Sequence, residues 1–220
     1  MNSFDPTTLP DAQRLAMAYA TTTSRGPLLI LMEFDLRLAE IVRSIREPLL
    51  AQMRLAWWRD ELAKSPEERP KGEPLLAAFG EGWCGEEPAL LELVNGWEEL
   101  LAEPPLPAAA PENFANGRAS AFAAAARIAG ATDCDAAVTL AARRWALADL
   151  AAKTSDIDEK AEVVATGLEL GDTPVRLPRA MRPLLVLDRL GRASLAAGGA
   201  PLMQGRRNIL AAMRLGLFGR

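Results

Sequence analysis

A helical spacing of apolar residues recurs along nearly the whole chain, and it restricts the fold more than any other feature. Apolar side chains that return every three or four residues line one face of an α-helix. In one segment the spacing is followed by Leu31, Phe34, Leu38, Ile41 and Ile45. Aromatic residues make up only 5% of the chain and alanine is frequent, a composition that favours closely packed helices over sheets. The sequence therefore predicts an all-α protein.

Proline, glycine and capping residues divide the periodic segments into about eight to ten helices on short connectors. Helices are predicted over residues 11–23, 24–46, 48–64, 74–80, 87–102, 112–130 and 133–153, the last with Asp133 as its cap. Further helices are predicted to start in "TSDIDEK", to end at "AAGG" and to cover 202–218. Residues 162–170 are the one strand candidate, and they suit a helix equally well. Because 220 residues can bury one sizeable core, residues 1–220 are predicted to form a single domain.

The two helices on either side of Pro48 supply the predicted centre of the core. The residue before a proline avoids the helical region, so Glu47 closes one helix and Pro48 opens the next. Apolar positions on both helices keep the spacing of a buried face. The expected members of one buried cluster are Phe34, Leu38, Ile41, Met53 and Trp57.

Several kinds of chemistry are excluded by the residues that the chain lacks. It contains no histidine, which removes imidazole bases, Ser–His and Cys–His pairs and the usual zinc sites. Cys84 and Cys134 form no C-x-x-C motif and suggest no disulfide framework, so a reducing cytoplasm is the expected compartment. The opening "MNSFDPTTLP" predicts no secretory signal, and no apolar run is long enough to predict a membrane span.

Charge is distributed unevenly along the chain. The net charge of −4 gives no indication of nucleic-acid binding. Residues 173–220, however, contain a single acidic residue, Asp188. Their nine basic residues are Arg176, Arg179, Arg182, Arg189, Arg192, Arg206, Arg207, Arg214 and Arg220. We expect this segment to pair with acidic helices of the same protein; the alternative is contact with an anionic membrane or partner.

The last predicted helix, over residues 202–218, has an apolar side bordered by arginines. The apolar residues are Ile209, Leu210, Met213 and Leu217, and the arginines are Arg206, Arg207 and Arg214. Such a pattern suits a helix that docks onto its own bundle, which is the interpretation we prefer. It also suits a helix that lies on an anionic lipid surface, so 202–220 is a candidate for peripheral membrane contact.

Two early segments resemble the squalene/phytoene synthase family. "LLILMEFDLRLAEI" is similar to the helix that carries the family's first acidic motif. "SIREPLLAQMRLAWWRDEL" resembles the segment that follows, in its Glu-Pro-Leu start, Met-Arg-Leu and Trp-Trp-Arg-Asp. "LPRAMRPLLVLDRLGRASL" fits a late helix less specifically, and residues 12–64 carry most of the match. The resemblance implies a single-domain helical bundle of the isoprenoid (prenyl) synthase type over residues 1–220.

The resemblance breaks down at the positions that carry the family's chemistry. Active members condense two isoprenoid diphosphates head to head, and they bind Mg²⁺ through acidic clusters on two facing helices. At the positions of the first cluster this chain has Ala39, Glu40 and Arg43. For the second cluster the best candidate is Asp149, with Lys153 one turn later. Since each base can pair with the nearby acid, both clusters are expected to bind Mg²⁺ poorly.

The candidate site residues therefore divide into two groups. Asp35, Glu40 and Asp149 are vestigial acidic-motif positions, although such residues are more often simply exposed on a helix. Arg54 and Arg59 are candidate contacts for a diphosphate or another anion, although arginines more often bind neighbouring carboxylates. No catalytic residue, metal ligand or cofactor is expected.

The resemblance implies a non-catalytic protein. One branch of the family lacks the full acidic motifs and is associated with assembly of respiratory complex I, and "EPLLAQMRLAWWRDEL" resembles that branch. We therefore expect an assembly or binding protein in the cytoplasm, peripheral at the inner membrane face, with a protein partner. Two alternatives stay open. One is an active prenyltransferase that uses Mg²⁺ at an altered site of Asp35, Glu40 and Asp149. The other is a protein that binds an isoprenoid or quinone-like lipid without chemistry.

Overall fold

The structure is a computed structural model that describes residues 4–44 and 47–219. Every regular element in these residues is helical, which confirms the all-α prediction. The α-helices are α1 (Asp11–Met17), α2 (Thr22–Ser44), α3 (Pro48–Ala63), α4 (Pro74–Gly82), α5 (Glu87–Glu98), α6 (Ala110–Ile128), α7 (Asp135–Lys153), α8 (Ile157–Glu169), α9 (Arg182–Ala196) and α10 (Arg206–Phe218). Within the described ranges, none of these helices combines the length and apolar character that a membrane crossing requires.

Helix α2 buries the face that the sequence predicted. Leu31, Phe34, Leu38 and Ile41 are all buried in the main hydrophobic cluster, as the three-and-four spacing requires. The described part of the helix ends at Ser44. Residues 45–46, where the sequence placed the last apolar position and the end of this helix, lie outside the described residues.

Helix α3 is rotated relative to the prediction. Met53 and Trp57, expected in the core, are 61% and 40% exposed, whereas Trp58 is 3% exposed. The Trp58 ring packs edge-on against the Phe34 ring, with 4.9 Å between the centroids. The buried residues of this helix are Ala51, Leu55, Trp58, Glu61 and Leu62. The prediction was wrong for Met53 and Trp57 because α3 has apolar residues at helical spacing on two faces, and contacts with α2 and α5 select the face that is buried.

The centre of the bundle is helix α6, which packs between α5 and α7 and also contacts α2. Small residues bring these helices close together. A Cβ added at Gly117 would lie 2.3 Å from the backbone oxygen of Glu92, so α5 and α6 touch backbone to backbone. A Cβ at Gly191 would lie 3.1 Å from the Cα of Trp145, which shows a similar approach between α9 and α7. Alanine and glycine thus give α6 neighbours on several sides.

Several predicted boundaries differ from the structure. The first helix ends at Met17 rather than at residue 23, and the last begins at Arg206 rather than at 202. Asp133 does not cap α7; it has a left-handed φ of 59° in the preceding turn. Helix α8 is capped by Asp156, whose carboxylate accepts two backbone N–H bonds at 3.0 Å. Residues 162–170 lie in α8 and the turn after it, so the strand alternative is wrong.

Candidate functional site

Two of the three acidic candidates predicted from the sequence face each other inside the bundle. Asp35 lies on α2 and Asp149 on α7, and they are 3% and 5% exposed. Between them lies Arg118 of α6, which is 2% exposed. The shortest Arg118 distances are 2.7 Å to Asp35 Oδ2 and 2.9 Å to Asp149 Oδ2. A guanidinium group therefore fills the space between the two facing carboxylates.

Every oxygen of these two carboxylates already has a partner. Asp35 Oδ1 accepts hydrogen bonds from Trp97 Nε1 at 2.8 Å and Arg118 Nε at 2.9 Å, and Oδ2 accepts one from Arg118 Nη2. Asp149 Oδ2 accepts from Arg118 Nη1 and from Lys153 Nζ, and Lys153 Nζ also lies 2.7 Å from Oδ1. The planar guanidinium suits this bidentate arrangement with Asp35 better than an ammonium would.

Three aromatic rings enclose the same guanidinium. The Arg118 Cζ atom lies 4.5 Å from the ring centroid of Trp145, 4.7 Å from that of Phe114 and 5.2 Å from that of Trp97. Cation–π attraction at these distances strengthens when the cation is removed from water, as it is here. The rings also exclude solvent from the charged groups. Carboxylates from two helices, a cation and an aromatic shell thus form one closed unit.

The electrostatics of this unit favour the charged forms of Arg118 and Asp149. Burial by itself would lower the pKa of Arg118, but the adjacent carboxylates of Asp35 and Asp149 outweigh burial and raise that pKa above its ordinary value. Burial would likewise raise the pKa of Asp149, but Arg118 and Lys153 outweigh it and lower that pKa below its ordinary value. Arg118 and Asp149 therefore stay ionised at neutral pH, and the formal charges of Asp35, Asp149, Arg118 and Lys153 sum to zero.

This cluster does not fit a divalent metal. Mg²⁺ requires oxygen ligands with free lone pairs and a local excess of negative charge. Both carboxylates instead accept from cations, and the predicted pair between Lys153 and Asp149 is confirmed. Across the described residues, no group of three or more cysteine, aspartate or glutamate side chains is arranged to hold a metal ion.

The third vestigial position, Glu40, is not part of the site. Glu40 is exposed on α2, five residues after the buried Asp35 and therefore about 140° further round the helix. The predicted pair between Glu40 and Arg43 is wrong, because Arg43 Nε donates to the carbonyl of Ala39 at 3.2 Å and the two described side chains form no ion pair. Of the two acidic candidates on α2, Asp35 is therefore the one that faces the bundle interior.

The two candidate anion contacts have different surroundings. Arg59 donates to Glu98 on α5, so it belongs to an ion pair rather than to an open anion site. Arg54 is exposed and lines a surface depression of about 260 Å³ together with Arg37 and Trp57. Of the two predicted contacts, Arg54 alone remains available to an anion from solution.

Sequence reasoning missed Arg118, the residue at the centre of the site. The signal was present in its spacing: Phe114, Arg118 and Phe122 stand four residues apart along α6, so a lone arginine falls on an apolar face. All three are buried. A buried arginine requires acidic partners, and such partners exist on the neighbouring α2 and α7.

No protein-family model, curated protein or solved structure matches this chain. The resemblance of residues 12–64 to the squalene/phytoene synthases therefore stays a prediction.

Proposed function

We propose that this chain is a non-catalytic, squalene/phytoene-synthase-like protein that acts by binding or assembly. The observation that carries the proposal is the position of Arg118 between Asp35 and Asp149. In the proposed kinship, Asp149 stands at a position of the second metal-binding cluster, and Asp35 lies on the helix that carries the first, four residues before Ala39. Here a side chain of the protein supplies the positive charge instead, so the helices are held together without a metal.

Loss of the metal removes the central step of the family's chemistry. Departure of a diphosphate leaving group requires neutralisation of its charge, which Mg²⁺ provides in such enzymes. A buried guanidinium already shared by two carboxylates has little charge left for a third anion. The aromatic rings of Trp97, Phe114 and Trp145 also block access to it. Neither a metal nor a diphosphate is accommodated by this arrangement.

An assembly role is supported by the outer face of α3. Leu49, Leu50, Met53 and Trp57 are all exposed on this helix. Clustered apolar residues that include tryptophan and methionine are typical of surfaces that bind another protein. By its resemblance to the complex I assembly branch, the protein is proposed to act on a respiratory complex, in the cytoplasm and peripheral at the inner membrane face.

A second candidate function is binding of an isoprenoid or quinone-like lipid. The depression beside Arg54 supports it only in part, since its volume of about 260 Å³ is smaller than the ~300–1,000 Å³ usual for ligand pockets. It can accept an anionic head group but not a whole prenyl chain. The non-catalytic assembly role is therefore the better supported of the two.

A turnover assay tests the proposal. Purified protein is incubated with farnesyl or geranylgeranyl diphosphate, Mg²⁺ or Mn²⁺ and a reductant, and pyrophosphate release is measured beside an active squalene synthase. We expect no metal-dependent release. Metal-dependent release that is abolished by Asp35→Asn but not by Glu40→Gln would place a working metal site at the buried carboxylates, and the proposal would be abandoned. Glu40 is the matched control because it is an exposed acid on the same helix.

A further inference from the structure

A large groove lies on the opposite end of the chain from the residues that carry the family resemblance. It has a volume of about 1,100 Å³ and is formed by α9, α10 and the loop around residues 172–176. Its apolar lining includes Leu185, Ala193 and Leu210. Its charged lining is dominated by arginine: Arg176, Arg189, Arg192 and Arg214. The groove is thus lined by apolar residues together with several basic side chains.

Three of these four arginines have no acidic partner in the described part of the chain. Arg192 is held by Asp188 at 3.0 Å and by Asp172 at 2.9 Å. Arg176, Arg189 and Arg214 form no ion pair with a described acidic residue. The expectation that the basic C-terminal segment pairs with acidic helices is therefore not met by these four residues. Arg192 binds Asp188 of its own helix and Asp172 of a loop, and the other three bind no described acid. Their charges face solvent and are available to an anion.

Helix α10, which forms one wall of the groove, buries small residues and leaves Leu210, Met213 and Leu217 exposed, while Ile209 and Leu215 are half-buried. Ala212 and Gly216 face the bundle, and a Cβ added at Gly216 would lie 2.6 Å from the ring of Tyr19. Leu210 and Leu217 are 64% and 58% exposed. Arg214 belongs to the same outward face by its spacing. A helix stabilised only by its own bundle would show the reverse distribution of apolar residues.

We propose that α10 and the adjoining groove dock onto an anionic phospholipid surface. Leu210, Met213 and Leu217 would enter the boundary between head groups and acyl chains, and Arg176, Arg189 and Arg214 would contact lipid phosphates. Charge complementarity selects this occupant, because residues 173–220 carry a net charge of +8 and the cytoplasmic leaflet is negative. An acidic soluble partner would meet the same charges, but it would not require apolar residues on the outward face next to the arginines.

This inference rests on the peripheral membrane location within the proposed function, and it names the surface and the lipid chemistry. It is independent of the Asp35–Arg118–Asp149 cluster. A protein that binds no vesicles can still lack turnover, and a protein that turns over prenyl diphosphates can still bind vesicles. The two assays therefore distinguish failure of this inference from failure of the proposed function.

Vesicle co-sedimentation tests the electrostatic part. The protein is mixed with phosphatidylcholine vesicles with or without phosphatidylglycerol. We expect binding only with phosphatidylglycerol, weakened by added salt. Arg189→Gln/Arg214→Gln should reduce partitioning by roughly fivefold per arginine. The matched control, Arg43→Gln/Lys71→Gln, removes the same charge from exposed positions on α2 and before α4, and it should bind as the wild type does.

A second pair of variants tests insertion of the apolar face. Leu210→Gln/Leu217→Gln should lose binding to the same vesicles, whereas the control Ile157→Gln/Leu168→Gln, at exposed apolar positions on α8, should keep it. Circular dichroism verifies that each variant is folded. The proposal would be overturned if the protein bound no vesicles, or if it bound neutral vesicles as well as those with phosphatidylglycerol. It would also be overturned if the test and control variants lost binding to the same extent. Tight binding of free glycerophosphate that is the same in wild type and in Leu210→Gln/Leu217→Gln would also overturn the proposal, because the ligand would then be a soluble anion.

Discussion

Replacing Arg118 by methionine should be among the most destabilising single changes in this protein. The side chain donates three hydrogen bonds to two buried carboxylates and lies within 5.2 Å of three ring centroids. In its absence Asp35 keeps only Trp97 as a described side-chain donor, and Asp149 keeps Lys153. Removing one partner of a buried ion pair costs about 3–5 kcal/mol. Since whole domains are stable by about 5–15 kcal/mol, much of the total stability should be lost.

Urea unfolding followed by circular dichroism measures this loss at neutral pH. The control is Arg127→Met, which removes an arginine from a half-exposed pair with Glu86 and should cost at most about 1 kcal/mol. A rescue variant, Arg118→Met/Asp35→Asn/Asp149→Asn, removes the uncompensated charges along with the arginine. Neutral replacement of a buried ion cluster is often tolerated, so we expect this variant to regain most of the lost stability.

Two results would refute the reasoning about Arg118. The first is a cost for Arg118→Met no larger than that for Arg127→Met, which would mean that the buried network contributes no more than a surface pair. The second is a rescue variant no more stable than Arg118→Met alone, which would mean that the damage comes from lost packing rather than from unpaired carboxylates.

Three further predictions follow from the packing and the charges. Trp58→Ala should lower the free energy of unfolding by about 3–5 kcal/mol and Trp57→Ala by much less, which urea unfolding would show; equal costs would mean that α3 is not rotated as described. Gly117→Ala should lower the melting temperature because its Cβ would meet a backbone oxygen at 2.3 Å, whereas Gly82→Ala, with nothing within 4 Å, should not; an unchanged melt for both would refute the close helix approach. Because folding lowers the pKa of Asp149, the ionised carboxylate stabilises the fold at pH above about 3.9, and this stabilisation is lost as the pH falls below that value. The difference in unfolding free energy between wild type and Asp149→Asn should therefore shrink in acid. A difference that stays constant with pH would contradict this.

The sequence was sufficient for the fold class because its local signals agree with the tertiary structure. Pro48 is the first residue of α3 and Pro74 is the first residue of α4, a position that suits the fixed φ of proline. The buried face of α2 follows its apolar spacing through Phe34 and Leu38. Where a helix has a single apolar face, periodicity alone therefore assigns its orientation.

Apolar periodicity did not assign the orientation of helix α3, because either of two faces could be the buried one. Helix α3 has apolar residues on both faces, so Trp57 and Trp58 are equivalent in periodicity and differ only in which one meets Phe34. The site was half predicted: Asp35 and Asp149 were named, and they lie together, but Glu40 points away and Arg118 was not considered. The apolar spacing around Arg118 indicates that its side chain is buried, but it does not identify Asp35 as the partner, because the two residues are far apart in the chain.

The internal guanidinium has a consequence for how this chain can evolve. Loss of Arg118 leaves the buried Asp35 without a described cationic partner and Asp149 with Lys153 alone, and it removes a large part of a marginal stability. Substitution of Asp35 first instead leaves a buried arginine with one acidic partner. A route to a metal-binding centre would need several coordinated changes, each intermediate being less stable than its parent. Mutation one residue at a time therefore does not easily lead from this arginine-centred cluster to a metal-binding site.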